Sequence, residues 1–229
     1  MTYRALHRWH IWLGWLVGFP LILWTLSGLF MVARPIEDVR GENLKRGAVA
    51  LSAITPVAPM LEGRATKTIS LEQREGGPVW VVQYMDGGAR RADAATGRLL
   101  PKVSAPEAAS LAAYHYTGSS KPISVKRFSA EKEPLDLRRG RPSWQINYAD
   151  GTRLYIDADS GSLLAVRTRW WRAFDFMWGL HIMDLQTRED THHPILVGFA
   201  LISLVSLILA FWMLIARQHR ATRKRPIAG

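Results

Sequence analysis

Ile11 to Ala33 runs for 23 residues without a charged side chain, and Pro194 to Ala216 does the same. At about 1.5 Å of rise per residue, a helix of that length crosses the roughly 30 Å hydrocarbon core of a bilayer. Uncharged runs this long are rare in soluble cores, and a helix satisfies its own backbone where there is no water. The sequence therefore predicts two transmembrane helices in contact with lipid, at 11–33 and 194–216. Met31-Val32-Ala33 followed by Arg34-Pro35 is not a small-x-small cleavage site, so the first run is expected to stay as a span.

Charge gives the orientation. Arg4 and Arg8 precede the first run, and Arg217, Arg220, Arg223, Lys224 and Arg225 follow the second; neither tail holds an acid. These seven cations are most of the net +11 of the chain. The positive-inside rule then puts both tails, 1–10 and 217–229, in the cytoplasm and the segment between the spans outside it. That arrangement suits a bacterial inner membrane with a periplasmic central domain. A stop-transfer anchor beside anionic lipid accounts for the basic tail without nucleic acid. The chain has no cysteine, which excludes disulfides and thiolate metal sites.

The external segment is internally repeated. Pro78-Val-Trp80, Tyr84, Asp86-Gly87, Asp93-Ala94, Gly97 and Leu99-Leu100 recur at a constant offset of 64. Their counterparts are Pro142-Ser-Trp144, Tyr148, Asp150-Gly151, Asp157-Ala158, Gly161 and Leu163-Leu164. Each unit reads as a strand (79–84, 144–148), an Asp-Gly turn, a second strand and a closing tight turn. A short helical pattern precedes each, near Thr55–Leu61 and Ala105–His115. Trp80 and Trp144 are expected to be core residues of a small sheet. The expected organisation is an α+β external domain over 34–168, with repeats at about 52–100 and 104–164, then an interfacial aromatic helix and linker over 169–193.

The pattern Tyr-x-Asp-Gly…Asp-Ala-x-Thr/Ser-Gly-x-Leu-Leu resembles the PepSY domain, a small α+β module. Its place between Leu6-His7-Arg8-Trp9 and a later Trp-rich, His-containing segment resembles the PepSY-associated transmembrane family, over about Leu6 to Ala216. Larger members with more helices include inner-membrane reductases that strip iron from siderophores using bound haem. The resemblance implies haem b as a cofactor and a ferric siderophore or metal as substrate. His181, in Gly179-Leu-His181, resembles the histidine of the family at this point.

Histidines are the strong ligands on offer, and most lie at the ends of the spans. His7, His10 and His219 flank the cytoplasmic face; His181, His192 and His193 precede the second span outside. A bis-histidine haem needs two imidazoles at similar depth on facing helices. His10, Gly14 and Gly18 follow at i, i+4 and i+8, a stripe that joins a ligand to clearance for a flat ring. The same Gly14 and Gly18 also read as a helix-packing face. His10, His181 and His193 are candidate metal ligands, and Asp184, Glu189 and Asp190 could join the external histidines, His181 with His192 or His193, in a transition-metal site. His115, within the external repeat, is expected to have a surface or structural role.

Two readings stand. One is a b-type haem protein passing electrons to an external acceptor such as a ferric chelate. The other is a non-catalytic accessory or assembly subunit of a larger membrane complex. Two helices cannot enclose a porphyrin, so either reading calls for a homodimer or another membrane subunit.

Overall fold

The computed structural model describes residues 3–223, with side chains from 7 to 219. Lys224 and Arg225, and the side chains of Arg4, Arg220 and Arg223, lie outside the described residues. In chain order the helices are α1 (Tyr3–Met31), α2 (Ile36–Val39), α3 (Ala105–His115), α4 (Arg169–His181) and α5 (Pro194–Arg223). The strands are β1 (Thr66–Arg74), β2 (Gly77–Tyr84), β3 (Ala89–Asp93), β4 (Pro122–Phe128), β5 (Ser143–Tyr148), β6 (Arg153–Asp157) and β7 (Leu163–Arg167). The chain divides into two compact units, residues 1–33 with 174–229, and residues 34–173.

In the first unit, His7–Met31 of α1 and Pro194–His219 of α5 are long and apolar enough to cross a bilayer. Trp12, Trp15, Phe19, Phe211 and Trp212 are exposed along them, which is tolerable only where lipid is the solvent. The two helices pack together, and Val17 and Ser206 are buried. Pro20 lies inside α1 and brings no amide, so the carbonyl one turn earlier loses its usual donor. Pro194 opens α5, where a missing N–H costs nothing.

The second unit holds two antiparallel sheets, ordered β1-β2-β3 and β4-β5-β6-β7. The second has its core beneath α3: Ala108, Leu111 and Ala112 cover Ile146, Tyr148, Leu154, Ile156 and Val166. Ser104 caps α3 by accepting from the Glu107 amide, and Pro106 starts its first turn. The opposite face is covered by the connection between β4 and β5, whose Leu137 packs on Tyr155 and Ala165. Asp136 in that connection accepts from the Tyr155 hydroxyl (2.6 Å) and Arg153 (3.0 Å).

The repeat is visible as paired contacts. The indole N–H of Trp80 donates to Val57 O (2.7 Å) and that of Trp144 to Val103 O (2.9 Å). The amides of Val57 and Val103 bond Ala94 O and Ala158 O, which are themselves repeat partners. Both tryptophans are half-buried on their sheets, at the margin of the core rather than inside it, because each turns its indole N–H to a strap carbonyl. One expectation fails: residues 55–61 form no helix. Pro56 and Pro59 supply no amides, and the Val57 and Met60 amides bond Ala94 O and Gly97 O instead. The segment is an extended strap, and only the second repeat interposes a helix between strap and sheet.

Arg74, buried at the end of β1, ties the copies together. It donates to Gly161 O (2.8 Å) and Ser160 O (3.1 Å) in the closing turn of the second repeat, and to Glu72 (2.9 Å). Arg141 reaches back from the second copy to Gly87 O (2.8 Å) while pairing with buried Asp157.

Candidate functional site

α4 begins at Thr168, whose hydroxyl accepts from the Trp171 amide (2.9 Å), and ends at His181. Its end is closed by the Asp184 amide on Gly179 O (2.9 Å) and the Met183 amide on Leu180 O (3.2 Å). This is a Schellman closure with Met183 at φ 58° where glycine is usual. A side chain in that region costs about 1 kcal/mol or more and calls for surroundings that hold it.

Those surroundings are a knotted loop. The Asp184 carboxylate accepts from the amides of Gln186, Thr187, Glu189 and Asp190 and from the Thr187 hydroxyl. The Thr187 hydroxyl, then these amides, hold its pKa well below the usual carboxylate range. Arg188 folds back onto buried Asp175 (2.6 Å), and Trp178 donates its indole N–H to Arg188 O (3.1 Å). With its oxygens spent on the loop, Asp184 is a structural anion, and a role as metal ligand would require undoing this turn.

The closure presents His181 to α1. Its Nδ1 lies 3.1 Å from Ser27 Oγ and 3.2 Å from Trp24 O. Its ring stacks on the Trp24 indole at 4.5 Å between centroids and 16° between planes. Gly28 makes the approach possible, since a Cβ there would stand 3.2 Å from His181 Cε1. Ser27 is 2% exposed, deep for a hydroxyl in an apolar helix. Beside the stack opens an apolar pocket of about 270 Å³ lined by Pro20, Leu23, Trp24, Leu180, Met183 and Leu185.

The other histidines are spread out. His192 is exposed, with its amide on Asp190 Oδ1 (2.9 Å), and His193 is half-buried with Nδ1 sequestered and unbonded. Among the described residues neither hydrogen-bonds to or stacks on His181, and no three of His, Asp and Glu gather at metal-binding distance. His10 lines an apolar groove of about 460 Å³ along α1 with Gly14, Trp15, Gly18 and Phe19. Among the described residues its buried Nδ1 has no hydrogen-bond partner. A Cβ at Gly14 or Gly18 would meet nothing within 4 Å, so the stripe packs against none of the described residues. His7 and His219 are both exposed, toward the outer ends of α1 and α5.

His115 lies outside this group, at the end of α3. It lines a cleft of about 340 Å³ with Arg46, Leu71, Glu72 and Tyr114. Burial, together with the Arg74 and Arg46 cations, lowers its pKa, so it is neutral at pH 7.

In donor type these groups fit an iron porphyrin. Ligating histidines characteristically give their second ring nitrogen to a carbonyl, and Nδ1 of His181 is so engaged. His10 sits beside an apolar groove lined by two glycines. The residues sequence reasoning missed are Trp24, Ser27 and Gly28. Their signal was a hydroxyl and a glycine one turn after a tryptophan, on one helix face of an apolar run.

The model of the family described as the PepSY-associated TM region matches residues 7–229. No curated protein and no solved structure matches the chain. Two apolar helices flank paired antiparallel sheets, and the match runs through all of them. The chain is a membrane protein and belongs to the PepSY-associated TM region family.

Proposed function

We propose that the chain is a b-type haem protein of a bacterial inner membrane, passing electrons to an acceptor such as a ferric chelate on the periplasmic side. The observation that carries this reading is His181, whose Nδ1 is engaged by α1 while no described group bonds Nε2. His181, with His192 or His193, would supply axial imidazoles at one membrane face, and His10 or His7 at the other. Bound haem supplies one-electron chemistry. The part of the chain itself is to orient the imidazoles, to exclude water with Trp24, Leu23 and Leu180, and to leave clearance at Gly14 and Gly18. A second copy or another membrane subunit would complete the enclosure.

A second reading is supported by the open glycine stripe: an accessory or assembly subunit that docks a partner helix on Gly14 and Gly18. Absorption spectra of full-length protein from haem-replete cells, oxidised and then dithionite-reduced, separate the two. The haem reading expects a Soret band that shifts on reduction. A protein that purifies without one is the accessory subunit.

Orientation rests on the seven cationic tail residues. A reporter active only outside the cytoplasm is expected to work when fused after Gly97 or Gly161 and to be silent after Arg225. Strong activity of the Arg225 fusion would refute cytoplasmic tails.

A further inference from the structure

The two groups that meet Nδ1 of His181 determine which ring nitrogen carries the proton. Trp24 O is a carbonyl and only accepts. Ser27 Oγ has one hydrogen, and it is committed to that same carbonyl at 2.8 Å, an ordinary i−3 bond along α1. What Ser27 turns to the imidazole is therefore a lone pair. Nδ1 lies 3.1 Å from one acceptor and 3.2 Å from the other. A neutral imidazole has one donor nitrogen and one acceptor nitrogen. Proton on Nδ1 gives a shared N–H bond to both oxygens. Proton on Nε2 sets the Nδ1 lone pair against the carbonyl, and turning the serine hydroxyl to relieve it breaks the Ser27–Trp24 bond. The ring cannot rotate away, because Trp24 stacks on its face and the Gly28 backbone lies against its Cε1–Nδ1 edge.

We infer that Trp24, Ser27 and Gly28 form a cradle that holds His181 as the Nδ1–H tautomer, with its lone pair on Nε2. This reverses the preference of free histidine in water. The cradle should favour Nδ1–H by roughly tenfold, the weight of one hydrogen bond made or left unmade. The three residues are positioning residues, acting on iron or any other Lewis acid through His181 alone. Why the cradle exists rests on the haem reading, but the tautomer does not.

The experiment uses the full chain in lipid nanodiscs without haem, with its histidine rings labelled for long-range proton–nitrogen correlation NMR. His181→Ala assigns the signals. The expected result at neutral pH is a pyrrole-type Nδ1 and a pyridine-type Nε2 for His181. Ser27→Ala removes little volume but takes away one acceptor and the one hydroxyl that could turn to serve an Nε2–H ring, so Trp24 O alone faces Nδ1, and the Nδ1–H form should persist with its Nδ1 signal measurably shifted. Gly28→Leu pushes the ring off its seat, away from both oxygens, and should move the population toward Nε2–H. A wild-type His181 found as Nε2–H overturns the cradle, as do unchanged His181 signals in Ser27→Ala. If Gly28→Leu does not assemble, Ser27→Ala decides. An Nδ1–H His181 in a chain without a Soret band upholds the cradle and sinks the haem reading; an Nε2–H His181 in a chain that has the band does the reverse.

Discussion

His181→Ala should abolish one haem signal outright, while the protein still inserts and its second unit stays folded. The substitution removes an imidazole whose second nitrogen is engaged by a carbonyl, and it takes no charge into or out of either span. Ser27→Ala should be milder, weakening haem affinity by about 10-fold, the usual scale for an outer group that orients a ligand. His115→Ala, in the cleft of the external sheets, should leave the spectrum as it was and serves as the control. Reduced-minus-oxidised spectra of the three purified variants check this order. A His181→Ala spectrum identical to wild type would remove His181 from the ligand set and leave His10 and His7 to be tested next.

Asp157→Ala should be the most damaging change in the external unit. Asp157 is 1% exposed, pairs with Arg141, and caps the closing turn through the amides of Asp159 and Ser160. Removing one partner of a buried ion pair costs about 3 kcal/mol or more. The internal repeat supplies a control, for Asp93 occupies the same position 64 residues earlier. It caps its turn through Ala95 and Thr96, but among the described residues no cation reaches it. Amide hydrogen exchange in β5 and β6 is expected to accelerate about 100-fold in Asp157→Ala, and far less in Asp93→Ala. Equal effects of the two substitutions would show that the Arg141 pair contributes nothing.

The elements legible in the sequence were those whose signals are local. Both spans announce themselves by uncharged length. Strands β2, β3, β5 and β6 are marked by the Trp, Tyr and Asp-Gly positions that recur at 64. The first strand of each sheet escaped for a definite reason. Thr66 pairs with Tyr84 and Pro122 with Tyr148, so these strands recur at 56, out of step with the rest. The difference is absorbed by the connection carrying Asp136 and Leu137, where the first copy has only Glu75 and Gly76 between strands. Leu71-Glu-Gln-Arg74 and Leu135-Asp-Leu-Arg138 do match at 64, yet one ends a strand and the other lies in that connection. At the candidate site, His181 stood out by residue type. Its cradle did not, because Ser27 is 154 residues away along the chain and reads as one more small residue in an apolar run.

The knot at Asp184 makes the turn after His181 acid-tolerant. An unfolded aspartate titrates near about 3.9, and in the native loop the Thr187 hydroxyl and the converging amides depress that value further. It is the charged carboxylate that these donors bind. The stabilisation is therefore complete above the unfolded value and is lost only as pH falls below it toward the native one. Between about pH 5 and pH 8 no proton competes for the loop. Whatever acidity the surrounding compartment reaches in that range, Met183 keeps its left-handed backbone and the end of α4 keeps its closure.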